Sequence, residues 1–317
     1  MPNGKLISII IPVYNEEKNI PPLFAELQKT ITDLSQYAWE IIFVNDGSRD
    51  GTLREIEKLA NENSNVKNLD FSRNFGKEIA TTAGINHCQG DACLMMDADL
   101  QHPPSVIPEF LEKWENGAEV VVGVRKKNNR DSWVKNIGAW FYYKVINKIS
   151  ETNILPNATD FRLLDRMVIE EFNKLSERNR MTRALIAWLG FRRELVPFES
   201  PKRAYGQPSY STFKLIKLAM SSFVSLSLFP LKLAGYLGII ITLLSGLLGI
   251  FIFIERYFIS DSLGMHFSGS AILAVINLFL IGIVLSCLGL IALYIANIHG
   301  EVINRPMYII RSHRVIK

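Results

Sequence analysis

Two aspartates one residue apart, Asp97 and Asp99, follow the apolar run Cys93–Met96 and precede Gln101, His102 and the pair Pro103-Pro104. Two carboxylates and an amide oxygen are hard ligands, suited to Mg²⁺ or Mn²⁺ bridging phosphate oxygens. On an extended strand, residues two apart point to one side, so Asp97, Asp99 and Gln101 would line a single face. A solvated turn closed by proline has the same spacing, and these residues alone do not choose between the two. His102 is not counted among the ligands.

The elements around this stretch supply the choice. "LISIIIPV" (6–13), "EIIFV" (40–44), "VKNLDF" (66–71), "ACLMMD" (92–97) and "AEVVVGV" (118–124) are apolar or β-rich runs of strand length. Helical patterns alternate with them, opening near Asn19 with Pro21-Pro22, at Asp50, at Gly76 and at Pro103-Pro104. Alternation of this kind predicts a mostly parallel, Rossmann-like α/β sheet, which binds ligands outside the carboxyl ends of its strands. Tyr14, Glu16, Asp46, Asp97, Asp99, Gln101 and Arg125 all follow strand ends and should converge there. The chain has no GxGxxG, no GxxxxGK[ST] and no GxSxG, so the edge lacks a glycine-rich phosphate cradle, for which a metal would substitute.

The composition is lopsided. Ten Lys/Arg lie between Arg178 and Lys232 against Glu194 and Glu199, a basic belt before an apolar region, which suggests an anionic surface. No nucleic-acid motif accompanies it, and nucleic acid is not expected as a partner. Leu233–Ile254 is 22 uncharged residues and Phe267–Ile298 is 32. A helix over the first would cover about 33 Å, enough for one membrane span. The 255–266 loop carries Glu255, Arg256 and Asp261, whereas Lys214, Lys217, Lys232, Arg305, Arg311, Arg314 and Lys317 flank the pair. By charge asymmetry both termini face the cytoplasm in a two-span arrangement. The expected organisation is a cytoplasmic catalytic domain (1–210), a juxtamembrane amphipathic segment (211–229) and a transmembrane part with a cytoplasmic tail (230–317). Gly282 and Ser286 have small-xxx-small spacing, which suggests a homo-oligomer through these helices. Three cysteines without a CxxC pair argue for a reduced compartment.

"IIIPVYNEE", "VNDGSRDGT", "RNFGKEIA", "MDADLQHPP" and "TDFRLLDR", in this order, resemble the family-2 glycosyltransferases that act on polyprenyl phosphates. Dolichyl-phosphate mannose synthases and bactoprenol glucosyltransferases belong to that group, and the two-span tail resembles the latter. The resemblance covers about residues 5–230. It implies a GT-A fold that binds a nucleotide sugar with Mg²⁺ or Mn²⁺ at the plasma (inner) membrane.

By the same resemblance Pro12, Tyr14, Glu16 and Asp46 would hold base and ribose, with Lys77 contacting the nucleotide. Asp97 would lie beside ribose and metal, and Asp99 and Gln101 would ligate the metal. A lipid phosphate, already anionic, would attack the sugar C1 without a general base and invert the anomeric centre. Arg125, Lys135, Arg162 and Arg203 are the candidate cations for that phosphate. Asp160 stands where enzymes with hydroxyl acceptors keep a base, and would orient a cation or sugar hydroxyl here; a helix cap is its alternative. The resemblance favours glucose from UDP-glucose and undecaprenyl phosphate. Mannosyl or other sugar transfer to a dolichyl or polyprenyl phosphate is the alternative. A processive polysaccharide synthase fits less well, for QxxRW is absent. Two departures from the family pattern are Asn136 and Ala139 where Arg and Ser are common, and Pro208-Ser209 where Ser-Lys is usual.

Overall fold

A computed structural model describes residues 4–126, 158–177, 180–201, 247, 269–303 and 305–311. Lys135, Arg203, the 211–229 segment and, apart from Leu247, the first expected span lie outside the described residues, as do the side chains of Gly282 and Ser286. The chain divides into two compact units, Met1–Ser209 with Asn304–Lys317, and Tyr210–Ile303.

The first unit is built on seven strands: β1 Leu6–Val13, β2 Ala38–Asn45, β3 Val66–Asp70, β4 Ala92–Met95, β5 Val120–Arg125, β6 Ala158–Asp165 and β7 Arg193–Phe198. Their order is β3-β2-β1-β4-β6-β5-β7. All pairs are parallel except the two that β6 makes, with β4 and with β5. The fold is therefore a mixed α/β sheet in which one strand runs against the rest. β1 explains its own composition: Ile7, Ile9 and Ile11 belong to the core on one face and Ile10 to that on the other. A central parallel strand covered on both faces needs a continuous apolar run rather than an alternating one.

Among the described residues of this unit the helices are α1 Ile20–Asp33, α2 Thr52–Glu62, α3 Lys77–His87, α4 Ile107–Glu115, α5 Arg166–Lys174 and α6 Thr182–Trp188. α1 buries Ile20, Leu23, Phe24 and Leu27, the spacing of one helical stripe. α3 buries a run of small residues, Ala80 to Gly84, and lies so close to β1 that a side chain at Gly84 would collide with Ile10.

Three expectations are corrected here. β4 ends at Met95, two residues before Asp97, and the chain then turns with Leu100 at φ 62, so Asp97, Asp99 and Gln101 do not share a strand face. Asparagine just before a proline-led helix is an expected N-cap, but the side chain of Asn19 does not cap α1; its amide donates to Glu16 instead. Asp160 lies within β6 and is not a helix cap; Asp165 plays that part for α5, accepting from the Met167 amide at 2.9 Å. Pro104 does begin the next helical segment, a short 3-10 turn over Pro104–Val106 that leads into α4.

Within the second unit, helix α7 spans Gly269–Val302, 34 residues, about 51 Å at 1.5 Å per residue. Among the described side chains alone, no helix is long and apolar enough to cross a membrane. The full sequence of α7 holds no Asp, Glu, Lys or Arg from Gly269 to Ile298.

Candidate active site

The carboxyl ends of β1, β2 and β4 open at one edge of the sheet, and the expected polar residues meet there. After β1, Tyr14 is 41% exposed and Asn15 takes φ 56. This left-handed turn is braced across the edge, the Asn15 amide donating to Ser48 Oγ and the Arg49 amide to Asn15 Oδ1. The Glu16 amide donates to Thr52 Oγ1 at the start of α2. Pro12 stays in β1, opposite Val44.

Asp46 follows β2 and is buried. Its carboxylate accepts from the amides of Phe75 at 2.6 Å and Gly76 at 2.9 Å. Burial raises its pKa, and these two amides act in the opposite direction. Gly47, at φ 66, lets the chain turn away where a Cβ would meet the backbone of Arg73 at 2.5 Å. Gly47→Ala is expected to cost about 1–3 kcal/mol in thermal unfolding and to weaken nucleotide binding, because it would push the 73–76 segment off Asp46.

The centre of the edge is an ion-pair network that the register of the sheet creates. β4 and β6 pair Met95 with Arg162; extending that register by two residues sets Asp97 opposite Asp160. Lys77, the first residue of α3, places its ammonium between them, 2.6 Å from Asp97 and 2.9 Å from Asp160. Arg183 on α6 holds the other Asp160 oxygen at 2.8 Å. Burial works against the charges of Lys77 and Asp160, but the mutual attraction outweighs it. Asp97 and Asp160 raise the Lys77 pKa above its ordinary value, and Lys77 with Arg183 holds Asp160 well below the carboxylate range. A small cavity beside the network is lined by Lys77, Glu78, Thr81, Met95, Asp160, Arg162, Thr182 and Arg183.

Asp99, 7% exposed, accepts the Gln101 amide at 3.1 Å and closes the turn after β4. The side-chain oxygen of Gln101 accepts from Arg125 at 2.8 Å, so the end of β5 is tied to this turn. His102 is buried and stacks on Phe161 with ring centroids 5.1 Å apart. Its Nδ1 accepts the Asp97 amide at 2.9 Å, which fixes that backbone, and burial lowers its pKa. This packed ring is a support for Asp97 and offers its Nδ1 to no ligand.

Arg162 is 6% exposed, and its guanidinium donates to the carbonyls of Thr159 at 3.0 Å and Arg183 at 3.4 Å. Burial lowers its pKa to about 10. It is thus an internal brace, not the rim cation expected for a lipid phosphate. Arg183 was not singled out by sequence reasoning; it stood in the basic belt, and only the α6 packing brings it to Asp160. Glu78, also unread, accepts the Thr182 amide at 2.8 Å and fixes the start of α6.

Among the described residues no three Asp, Glu, His or Cys side chains gather into a metal-holding group. Two carboxylates are nevertheless a suitable protein share for Mg²⁺ or Mn²⁺, whose remaining ligands are commonly substrate phosphates and water. Asp97 and Asp99 offer two carboxylates of that donor type, and Asp97 already carries one cation, the Lys77 ammonium at 2.6 Å.

An open α/β sheet with acidic groups at its carboxyl edge and an antiparallel strand beyond them is the framework of a GT-A-like enzyme. Residues 8–172 match the family described as Glycosyl transferase family 2. An uncharacterized glycosyltransferase of Synechocystis sp. is 42% identical over 304 residues, 96% of this chain and 94% of that one. A prophage-derived bactoprenol glucosyl transferase of Shigella flexneri is 39% identical over 309 residues, 97% and 98% of the two chains. A prophage bactoprenol glucosyl transferase homolog of Escherichia coli is 36% identical over 305 residues, 96% and 98% of the two. The chain belongs to glycosyltransferase family 2 and is an enzyme of glycosyl transfer.

Proposed function

We propose that the enzyme transfers a hexose, glucose from UDP-glucose in the first instance, to a polyprenyl phosphate of the undecaprenyl type. The observation that carries this reading is the similarity to a bactoprenol glucosyl transferase along 97% of the chain, the apolar second half included. The two uncharged runs would anchor the enzyme as membrane spans, with the catalytic unit and both termini on the cytoplasmic face of the inner membrane. The length and sequence of α7 support the second span.

The residues at the edge have distinct tasks in this reading. Tyr14, Glu16 and Asp46 would surround the base and ribose, Asp46 in a position fixed by the 75–76 amides. Asp97 and Asp99 would hold the divalent cation, which when bound supplies positive charge to the departing diphosphate. Gln101 would keep Arg125 aimed across the turn. Lys77 and Arg183 keep Asp160 ionised and fully paired, so it is a poor proton acceptor at neutral pH. An acceptor that is already an anion needs no such base, and direct displacement at C1 would invert the configuration. Arg125, Lys135 and Arg203 remain the candidate cations for the acceptor phosphate.

Membranes carrying the enzyme should be incubated with undecaprenyl phosphate and a panel of labelled UDP- and GDP-sugars. The expected result is an organic-extractable sugar lipid formed from UDP-glucose. Insoluble polymer, or transfer from a GDP-sugar alone, would overturn the assignment.

A further inference from the structure

β3 is an edge strand, and such strands present a free row of backbone groups unless something covers them. At its carboxyl end, from Asp70 to Ser72, the cover comes from residues 308–311, which lie beyond α7 in the chain. Phe71 and Ile310 form an antiparallel bridge. The Ser72 amide donates to the Ile309 carbonyl at 2.9 Å, and the Arg311 amide to the Asp70 carbonyl at 2.8 Å. The Arg311 guanidinium donates to the Ser72 carbonyl at 2.9 Å. Tyr308 stacks on Phe71 at 5.2 Å, nearly parallel, and accepts from the Asn86 amide nitrogen at 3.3 Å on α3. Phe71 is fully buried under this ring.

The covered residues lead directly into the nucleotide edge. Phe71 meets Phe75 edge-on at 5.6 Å, and the amides of Phe75 and Gly76 are the two donors to Asp46. The next residue is Lys77, which pairs with Asp97 and Asp160. We propose that residues 308–311 are a positioning element for the donor site: by pinning Phe71 and Ser72 they hold the 73–76 segment, and through it Asp46, in the geometry that receives the nucleotide. Tyr308 and Arg311 are its positioning residues. The inference deepens the functional reading and rests on Asp46 as a nucleotide contact.

The test uses the full chain with Tyr308→Ala and Tyr308→Phe, hydrogen exchange of the 70–77 and 6–13 peptides, and titration with UDP and GDP. Loss of one or two weak contacts corresponds to about a tenfold change. The expected result for Tyr308→Ala is exchange in 70–77 faster by about tenfold, unchanged protection of β1, and nucleotide affinity weaker by a similar factor. Tyr308→Phe, which keeps the stack, should restore both. Unchanged exchange in 70–77, or equal loosening of β1, would overturn the inference and leave the functional reading standing. Faster exchange with unchanged nucleotide affinity would overturn the Asp46 assignment on which the inference rests.

Discussion

Asp99→Asn is expected to lower sugar transfer by about 10²–10³-fold, the usual scale for removing one group that stabilises charge in a transition state. The substitution is chosen for what it keeps. An asparagine oxygen can still accept the Gln101 amide, now 3.1 Å from Asp99, so the turn that carries Leu100 at φ 62 should persist. What disappears is one negative charge at a position only 7% exposed. A structural role for Asp99 would show itself as a lowered unfolding temperature with partial activity. The expected result is the reverse, a melting temperature close to that of the parent enzyme and a collapse in initial rate at saturating donor. Full retained activity would remove Asp99 from the metal site.

Asp160→Asn is the second substitution with a large expected effect, and its consequence separates two roles. Asp160 pairs with both Lys77 and Arg183, one oxygen to each. Without its charge, Arg183 loses that ion pair and Lys77 is drawn wholly to Asp97, where it competes with a divalent cation. Transfer should fall about 10²-fold and demand more metal, within the range that loss of a charge-stabilising group produces. A catalytic base would instead give the parent enzyme an acid limb in its pH–rate profile, abolished by the substitution. The depressed pKa of Asp160 predicts no such limb between pH 5 and 8. The sign for stability agrees: a carboxyl with a lowered folded pKa stabilises the protein fully above its unfolded value, about 4, and this contribution fades as pH drops below that. An acid limb near neutrality that vanishes in Asp160→Asn would contradict the account.

Much of the sheet was legible because parallel strands buried on both faces announce themselves as apolar runs. "LISIIIPV" coincides with β1, and the five expected strands are all present. β6 was not read as a strand. "ATDFRLLD" carries Asp160, Arg162 and Asp165 at points that also suit the start of a helix, and its partners β4 and β5 precede it by more than thirty residues. Nothing local therefore signals that Asp160 faces Asp97. The arrangement of Asp97, Asp99 and Gln101 was misread for a different reason. Left-handed backbone is normally marked by glycine or asparagine, and here leucine adopts it. The residue types of the candidate site were nevertheless readable, since several acids follow apolar strands whose carboxyl ends form the ligand edge of such a sheet. What sequence could not supply was the pairing: Lys77 as the bridge between two carboxylates, Arg183 behind it, and His102 as the packed support of Asp97.

In the function proposed above, Asp97 and Asp99 would form a divalent-cation site that holds the donor diphosphate. It is tested most directly by titrating the full-length enzyme with UDP at increasing Mn²⁺, while counting bound Mn²⁺ by its paramagnetic signal. UDP and Mn²⁺ are expected to strengthen each other's binding in the parent enzyme, and this coupling to be lost in Asp99→Asn. UDP affinity that is indifferent to Mn²⁺, or coupling that survives the substitution unchanged, would contradict it.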